Sequence, residues 1–178
     1  MKKTFTFSVC YIFLLYLSLQ VGLAKPTRNL KLEAAIRKFY LQNHPHASDT
    51  GLLLRYYPTY IDINGDGRKE SLVLIFGDCG AMACPLEIAT PTKKGYRVLS
   101  ELRPIRTPVW VSVKKSNGWH NIIVTLGGTA ADKRFRSAYR FDGKSYVEDA
   151  TDHGLRGKMI IPNNISPLNA IPLKIMAR

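Results

Sequence analysis

The residues whose types and spacing most clearly suggest chemistry lie in a short acidic segment, residues 62–70, with the pattern D-x-N-x-D-G-x-x-E. Calcium prefers six or more oxygen ligands, and Asp62, Asn64 and Asp66 occupy positions 1, 3 and 5 of a tight loop. The backbone carbonyl of Arg68 and the carboxylate of Glu70 can supply further oxygens. These five residues therefore predict a calcium site in which the ion has a structural role.

The same segment also suits a hairpin turn that needs no ion, because Asn-Gly and Asp-Gly are preferred in tight β-turns. Its glutamate comes three residues earlier than in an EF-hand loop. Lys69 and Arg68 lie inside the segment, and the positive charge of the chain opposes the binding of a cation. Both interpretations stay open at the level of sequence.

Cys79 and Cys84 are the next residues with distinctive chemistry, and four residues separate them. A redox-active dithiol normally has two intervening residues, and a metal site would need further ligands nearby. An even pair of cysteines in an exported chain most often forms a disulfide. We therefore predict a structural Cys79–Cys84 disulfide, which closes so short a loop that it stabilises the fold by only about 2 kcal/mol.

The sequence carries no established catalytic signature, such as G-x-S-x-G, H-E-x-x-H, a P-loop or a dinucleotide fingerprint. If the protein were an envelope hydrolase, Asp62, Asp66, Glu70 and His120 would be its candidate residues. His44 and His46 flank Pro45, and a single pair of this kind is weak evidence for a metal site. We therefore favour a protein that is not an enzyme.

The chain is strongly basic, with 26 Lys and Arg against 13 Asp and Glu in 178 residues. Arg134, Arg136 and Arg140 fall at alternating positions of a predicted strand, which places them on one face of a sheet. Such a surface suits an acidic protein, a phospholipid headgroup or another anionic component of the envelope. Trp110 and Trp119 are candidate anchors for that partner. A basic surface that is only solvated is the alternative.

The first 24 residues have the features of a secretory signal peptide: two early lysines, an apolar run and the small residues Gly22 and Ala24. Cys10 lies early in the apolar run, so it does not resemble a lipidated cysteine. Cleavage after Ala24 predicts a secreted or periplasmic protein that has no permanent membrane span. A nucleic-acid partner is excluded by that location.

The remaining chain predicts an α+β fold in which one N-terminal helix packs on a meandering antiparallel β-sheet or a small open barrel. Apolar residues recur with helical spacing over residues 25–43, where Asn29 is the expected N-cap. Short strands and tight turns follow up to residue 147, with a break at Pro104 and Pro108. We predict one domain over residues 25–147 and an irregular C-terminal extension over 148–178, with a last strand at 158–161.

The order of these motifs resembles a loosely defined group of small exported bacterial proteins of largely unassigned function. The resemblance rests on the FG-GAP-like acidic loop at 62–70, the C-x-x-x-x-C pair, Asn117-Gly118-Trp119 and residues 139–146. It covers residues 60–146 and implies an exported, disulfide-bonded protein. Because the acidic loop occurs once, the chain is not a propeller built from repeats of it.

Taken together, these features predict a secreted or periplasmic binding protein without enzymatic activity, whose basic surface meets an acidic or anionic partner and which calcium would stabilise if it binds. A more specific alternative is an inhibitor or immunity protein directed against a cell-wall hydrolase. The remaining alternatives are an envelope hydrolase and a structural envelope protein without a soluble ligand.

Overall fold

The computed structural model describes residues 26–44, 53–80, 83–127, 134–150, 155–163 and 165–175. The predicted signal peptide, Cys10, His46 and His153 lie outside these residues. No helix in the described ranges combines the length and the apolar character that a membrane span requires. The elements are α1 (Leu30–Asn43), β1 (Leu54–Ile61), β2 (Glu70–Phe76), β3 (Cys84–Thr92), β4 (Gly95–Ser116), β5 (Trp119–Leu126), β6 (Phe135–Phe141), β7 (Tyr146–Asp149), β8 (Gly157–Ile161), a 3₁₀ turn (Pro167–Asn169) and β9 (Ile171–Leu173).

The helix α1 forms because its apolar residues recur every four positions, so that Leu32, Ile36 and Tyr40 are buried along one face. The side chain of Asn29 accepts a hydrogen bond from the backbone N–H of Leu32 at 3.1 Å, which confirms the predicted N-cap. The helix ends at Asn43, one residue before His44, because the residue that precedes a proline avoids the helical conformation.

The nine strands form one antiparallel sheet with the order β7-β6-β5-β4-β3-β2-β1-β9, and β8 pairs with β4 beside this path. The sheet is open rather than closed into a barrel, and α1 packs against it. The predicted α+β class is therefore confirmed, with a meandering order in which consecutive strands are neighbours from β1 to β7.

The long strand β4 differs from the prediction of two strands with a break at Pro104 and Pro108. It runs without interruption through 22 residues. Its first half pairs with β3 and its second half with β5 and β8. Register shifts, including one between Arg106 and Trp110, let the strand accommodate both prolines where a regular ladder would not.

Two hydrophobic clusters stabilise the fold, one on each side of the sheet. The main core collects buried side chains of β2 to β8. A second cluster lies between α1 and the outer face of β1, β2 and β3. The sheet is therefore covered on both faces around β2 and β3, where all of β2 and residues 85–89 of β3 are buried.

The C-terminal segment was expected to be irregular beyond residue 147, and the structure corrects this in part. The predicted strand at 158–161 is confirmed as β8, but β9 was not predicted and pairs with β1. Ile161 and Ala170 are buried in the main core. A triplet such as β9 is too short to show alternation, and its central Pro172 can only occupy an edge strand.

Candidate functional site

Three motifs that are far apart in the sequence line one cavity, which we call the motif pocket. Its volume is about 580 Å³. The acidic loop, the turn before β5 and the turn after β6 all contribute to it, together with the hairpin between β3 and β4. The lining residues are Asn64, Arg68, Thr90, Pro91, Thr92, Arg97, Leu99, Trp119, Phe141, Gly143 and Lys144.

The acidic loop is shaped by hydrogen bonds from its own backbone. The carboxylate of Asp62 accepts from the N–H groups of Gly65 at 2.7 Å and Gly67 at 2.9 Å. Asn64 Oδ1 accepts from the N–H of Asp66 at 2.9 Å. Both glycines have φ near +80°, a conformation that few other residues adopt, so the Gly spacing is required for this turn.

Two of the predicted calcium ligands, Asp66 and Glu70, accept hydrogen bonds from other protein groups. Asp66 Oδ2 lies 2.8 Å from the Arg68 guanidinium, and this bond lowers the pKa of Asp66. Glu70 is fully buried and accepts from Ile63 N–H at 3.0 Å and Thr90 Oγ1 at 3.2 Å. Burial raises its pKa. Within the described ranges, no group of three or more His, Cys, Asp and Glu side chains is placed to hold a metal.

These contacts suit a hairpin that needs no ion, but each oxygen of Asp62 accepts only one hydrogen bond and keeps an acceptor site that an ion could use. The calcium site of Asp62, Asn64, Asp66, Arg68 and Glu70 stays a prediction of the sequence. The hydrolase alternative stays a prediction as well.

His120 joins the acidic loop to the sheet. Its backbone N–H donates to the carbonyl of Ile63 at 2.8 Å, and its Nδ1 lies 2.7 Å from the carbonyl of Ser112. The hydroxyl of Tyr146 donates to the carbonyl of His120 at 2.8 Å. The ring and backbone of His120 are thus used to hold the loop and β7 beside β5.

An aromatic cluster forms the wall of the motif pocket. The rings of Trp119 and Phe141 lie 4.6 Å apart, and Tyr146 meets the edge of Trp119 at 6.4 Å. Asn117, in the left-handed conformation, donates through Nδ2 to the carbonyl of Phe141 at 2.8 Å and so aligns the two turns. Trp119 is half-buried against the core and lines the pocket, whereas Trp110 is only 7% exposed.

The charged residues that line the motif pocket itself are basic, although the lining residue Thr90 donates to the buried Glu70 at 3.2 Å. Arg68, Arg97 and Lys144 line it, and none of its described lining residues is acidic. Arg68 is paired with Asp66, whereas Arg97 and Lys144 make no ion pair with any described residue. A carboxylate or phosphate that enters the pocket would therefore meet cationic donors beside an aromatic surface.

The predicted basic strand is found in β6, where Arg136 and Arg140 are exposed, and Arg134 is exposed directly before its first residue. The guanidinium of Arg136 lies 4.1 Å above the ring of Trp110, which removes Trp110 from the candidate surface anchors. Arg103, unlike the arginines of this basic surface, is paired with acidic side chains: it forms an ion pair with Glu101 and lies 2.7 Å from Asp78.

Cys79 and Cys84 form the predicted disulfide, with their Cα atoms 4.2 Å apart. It connects the end of β2 to the start of β3. Because β2 runs from Glu70 to Phe76, the disulfide and the motif pocket lie at opposite ends of the same strand.

Glu87 is a buried acid that sequence reasoning missed. It is fully buried, and within the described part of the chain neither carboxyl oxygen has a hydrogen-bond partner. Its neighbours across the sheet are Val73 and Glu101. Burial, followed by the charge of Glu101, raises its pKa well above the usual range, while Arg103 opposes the shift. The available signal was a single acidic residue inside the apolar strand at 86–90.

Comparison of the chain with known protein families, with curated proteins and with solved structures finds no match. The resemblance to small exported proteins with an acidic loop stays a prediction. The function is therefore argued from the geometry of the motif pocket.

Proposed function

We propose that the protein is an exported binding protein without enzymatic activity, which takes an acidic group of a partner protein into the motif pocket. One observation carries the proposal. Two turns and the start of β4 bring Arg68, Arg97 and Lys144 to one cavity with Trp119 in its wall, and no acidic residue lines the described part of that cavity.

The basic residues that line the motif pocket favour a partner group with a negative charge. A carboxylate beside Arg97 and Lys144 would gain charge-assisted hydrogen bonds, which are about twice as strong as neutral ones. A cationic group would be repelled by the same side chains. The excess of basic residues over the whole chain adds long-range attraction, which raises the rate of association with an acidic partner.

The shape of the pocket favours a protein partner over an extended anionic polymer. A polymer is bound best by a continuous basic track, whereas this cavity of about 580 Å³ takes one inserted group. Trp and Arg side chains are also the residues that contribute most often to the affinity of protein interfaces. Trp119 and Arg97 provide both types.

Export is part of the proposal and is supported by the signal-peptide pattern and the Cys79–Cys84 disulfide. Disulfides persist in oxidising compartments such as the periplasm and the extracellular space. In that location, a more specific form of the proposal is an inhibitor of a cell-wall hydrolase. Many glycosidases use a pair of carboxylates, which are suitable groups for exposed Arg97 and Lys144 to contact.

A fluorescence titration with hexaglutamate as the probe tests the pocket. We expect hexaglutamate to change the emission of Trp119 and to bind more weakly as salt rises, because the interaction is electrostatic. Arg97→Glu should weaken binding at least tenfold. Lys93→Glu makes the same change of charge in the neighbouring turn but does not line the pocket, so it should have a much smaller effect.

Vesicles that contain phosphatidylglycerol provide the comparison with an anionic surface. Equal losses for Arg97→Glu and Lys93→Glu would show that only net charge matters and would overturn the pocket proposal. Tight vesicle binding that Arg97→Glu leaves unchanged, with no binding of hexaglutamate, would assign the basic surface to a membrane instead.

A further inference from the structure

We propose that a second cavity, at the disulfide end of the fold, binds a small anionic amphiphile, a molecule with a carboxylate or phosphate head and a short apolar chain. We call it the disulfide-end cavity, and its volume is about 500 Å³. It shares no described lining residue with the motif pocket, so the failure of one proposal does not affect the other.

The floor of the disulfide-end cavity is apolar. Leu74, Phe76 and Ile105 point inward from β2 and β4 and belong to the main core, so the cavity is an opening into that core at one end of the curved sheet. Ile165 and Pro167 from the C-terminal segment form the facing wall. The open ends of β-barrels and curved sheets are common ligand sites, and this volume lies within their usual range.

The rim of the cavity is cationic. Arg106 lines it, and its Nε donates to the carbonyl of Gly127 at 2.6 Å, which fixes the side chain between β4 and the end of β5. Arg134, at the start of β6, is exposed and also lines the cavity. None of the described lining residues is acidic.

These features define the ligand by its chemistry. An apolar chain would replace water against Leu74, Phe76 and Ile105, and the removal of its methylene groups from water favours binding. The anionic head would remain at the rim, where exposed Arg134 supplies positive charge and Asn163 a neutral amide. A cationic amphiphile would place its charge beside the Arg134 guanidinium and is disfavoured by the same arrangement.

The disulfide is part of this cavity as well as of the fold. Cys79 and Cys84 both line it, so the covalent link between β2 and β3 fixes one wall. A preformed wall lowers the entropic cost of binding, because less of the protein has to be ordered by the ligand.

Titration calorimetry with decanoate, decyl phosphate, decanol and decyltrimethylammonium, each below its micelle concentration, tests the proposal. We expect both anions to bind, decanol to bind more weakly and the cation not to bind. Arg134→Gln should weaken the binding of the anions about tenfold and leave decanol unchanged. Arg140→Gln removes the same charge from the same strand outside the cavity and should leave all affinities unchanged.

The two anions distinguish the possible sources of the ligand, since a preference for decanoate points to a fatty acid and one for decyl phosphate points to a lipid phosphate. Equal losses for Arg134→Gln and Arg140→Gln would overturn the proposal, because they would show adsorption to a basic surface. Binding of decanol as tightly as the anions, or no binding of any probe, would overturn it as well.

Discussion

Asp62 shapes the acidic loop because a single carboxylate accepts hydrogen bonds from two N–H groups of the turn, those of Gly65 and Gly67. The order of residues in the loop could be read from the sequence, since D-x-N-G-D-G is a turn pattern whether or not an ion binds. The partners of the carboxylates could not be read, because no local pattern shows that Glu70 accepts from the hydroxyl of Thr90, twenty positions later. Nor does the pattern show that Asp66 pairs with Arg68.

We expect Asp62→Ala to lower the free energy of unfolding by about 1 kcal/mol, since two N–H groups of the turn lose their acceptor. The loss should be the same in chelator and in millimolar calcium. Thermal melts of the wild type and the variant under both conditions check this. A rise in the wild-type Tm with calcium that is absent in Asp62→Ala would instead establish the calcium site, because a ligand of the native state raises Tm.

Glu87 makes the stability of the fold depend on pH. Its raised pKa means that the folded protein retains a proton that the unfolded chain releases above pH 4.5. Unfolding is therefore favoured increasingly as pH rises from about 4.5 towards the folded-state pKa of Glu87. Glu101 and Arg103 are the charged groups that face it, one raising and the other lowering this pKa.

We expect Glu87→Gln to stabilise the protein at pH 7 and to have little effect near pH 4, since glutamine has no proton to lose. Denaturant unfolding at both pH values measures the difference. Glu101→Gln is the matched control and should destabilise the protein at pH 7, because Arg103 loses an ion-pair partner. A stabilisation by Glu87→Gln that is equal at both pH values would contradict the role of ionisation.

Among the elements, β8 shows that the C-terminal segment belongs to the fold. Ile161 is fully buried in the main core, whereas Met159 on the same strand is half exposed. We expect Ile161→Ala to lower the free energy of unfolding by about 2–4 kcal/mol because it leaves a cavity. Met159→Ala should change it by no more than about 0.5 kcal/mol. Equal effects in denaturant unfolding would show that β8 does not pack as described.

The elements differed in how well the sequence predicted them, for physical reasons. The helix carries a complete apolar stripe and an N-cap at Asn29, so its end and its cap were both predicted. The strand β4 was divided at Pro104 and Pro108 because prolines usually end a strand, yet its bulges accommodate them. The pairing of β9 with β1 depends on a contact between residues more than a hundred positions apart, which no local pattern contains.

The Cys79–Cys84 disulfide constrains one connection of the fold, the one between β2 and β3. We expect the double substitution of Cys79 and Cys84 by serine to lower the free energy of unfolding by about 2 kcal/mol and to preserve the fold, because the closed loop is short. Circular dichroism and denaturant unfolding check both statements. Loss of the folded state would show that the disulfide does more than restrict the unfolded chain.

For the whole molecule, the sequence predicts that the chain is basic and which tryptophans could act as anchors. It does not predict that these features meet in one cavity. The excess of basic residues and the candidate anchor Trp119 could be read from the sequence. Their meeting in one cavity could not, because Arg68, Arg97, Trp119 and Lys144 belong to four different turns and strands. The antiparallel meander brings these turns to one end of the sheet, so the candidate site is a product of the topology.

A map of backbone amide shifts on addition of hexaglutamate shows where on the protein acidic groups bind. We predict shifts concentrated at the motif pocket, in Asn64, Arg68, Trp119, Gly143 and Lys144, which disappear in Arg97→Glu and persist in Lys93→Glu. Shifts spread along β6 at Arg134, Arg136 and Arg140 instead would contradict it, because they would assign the binding of acidic groups to the open basic strand.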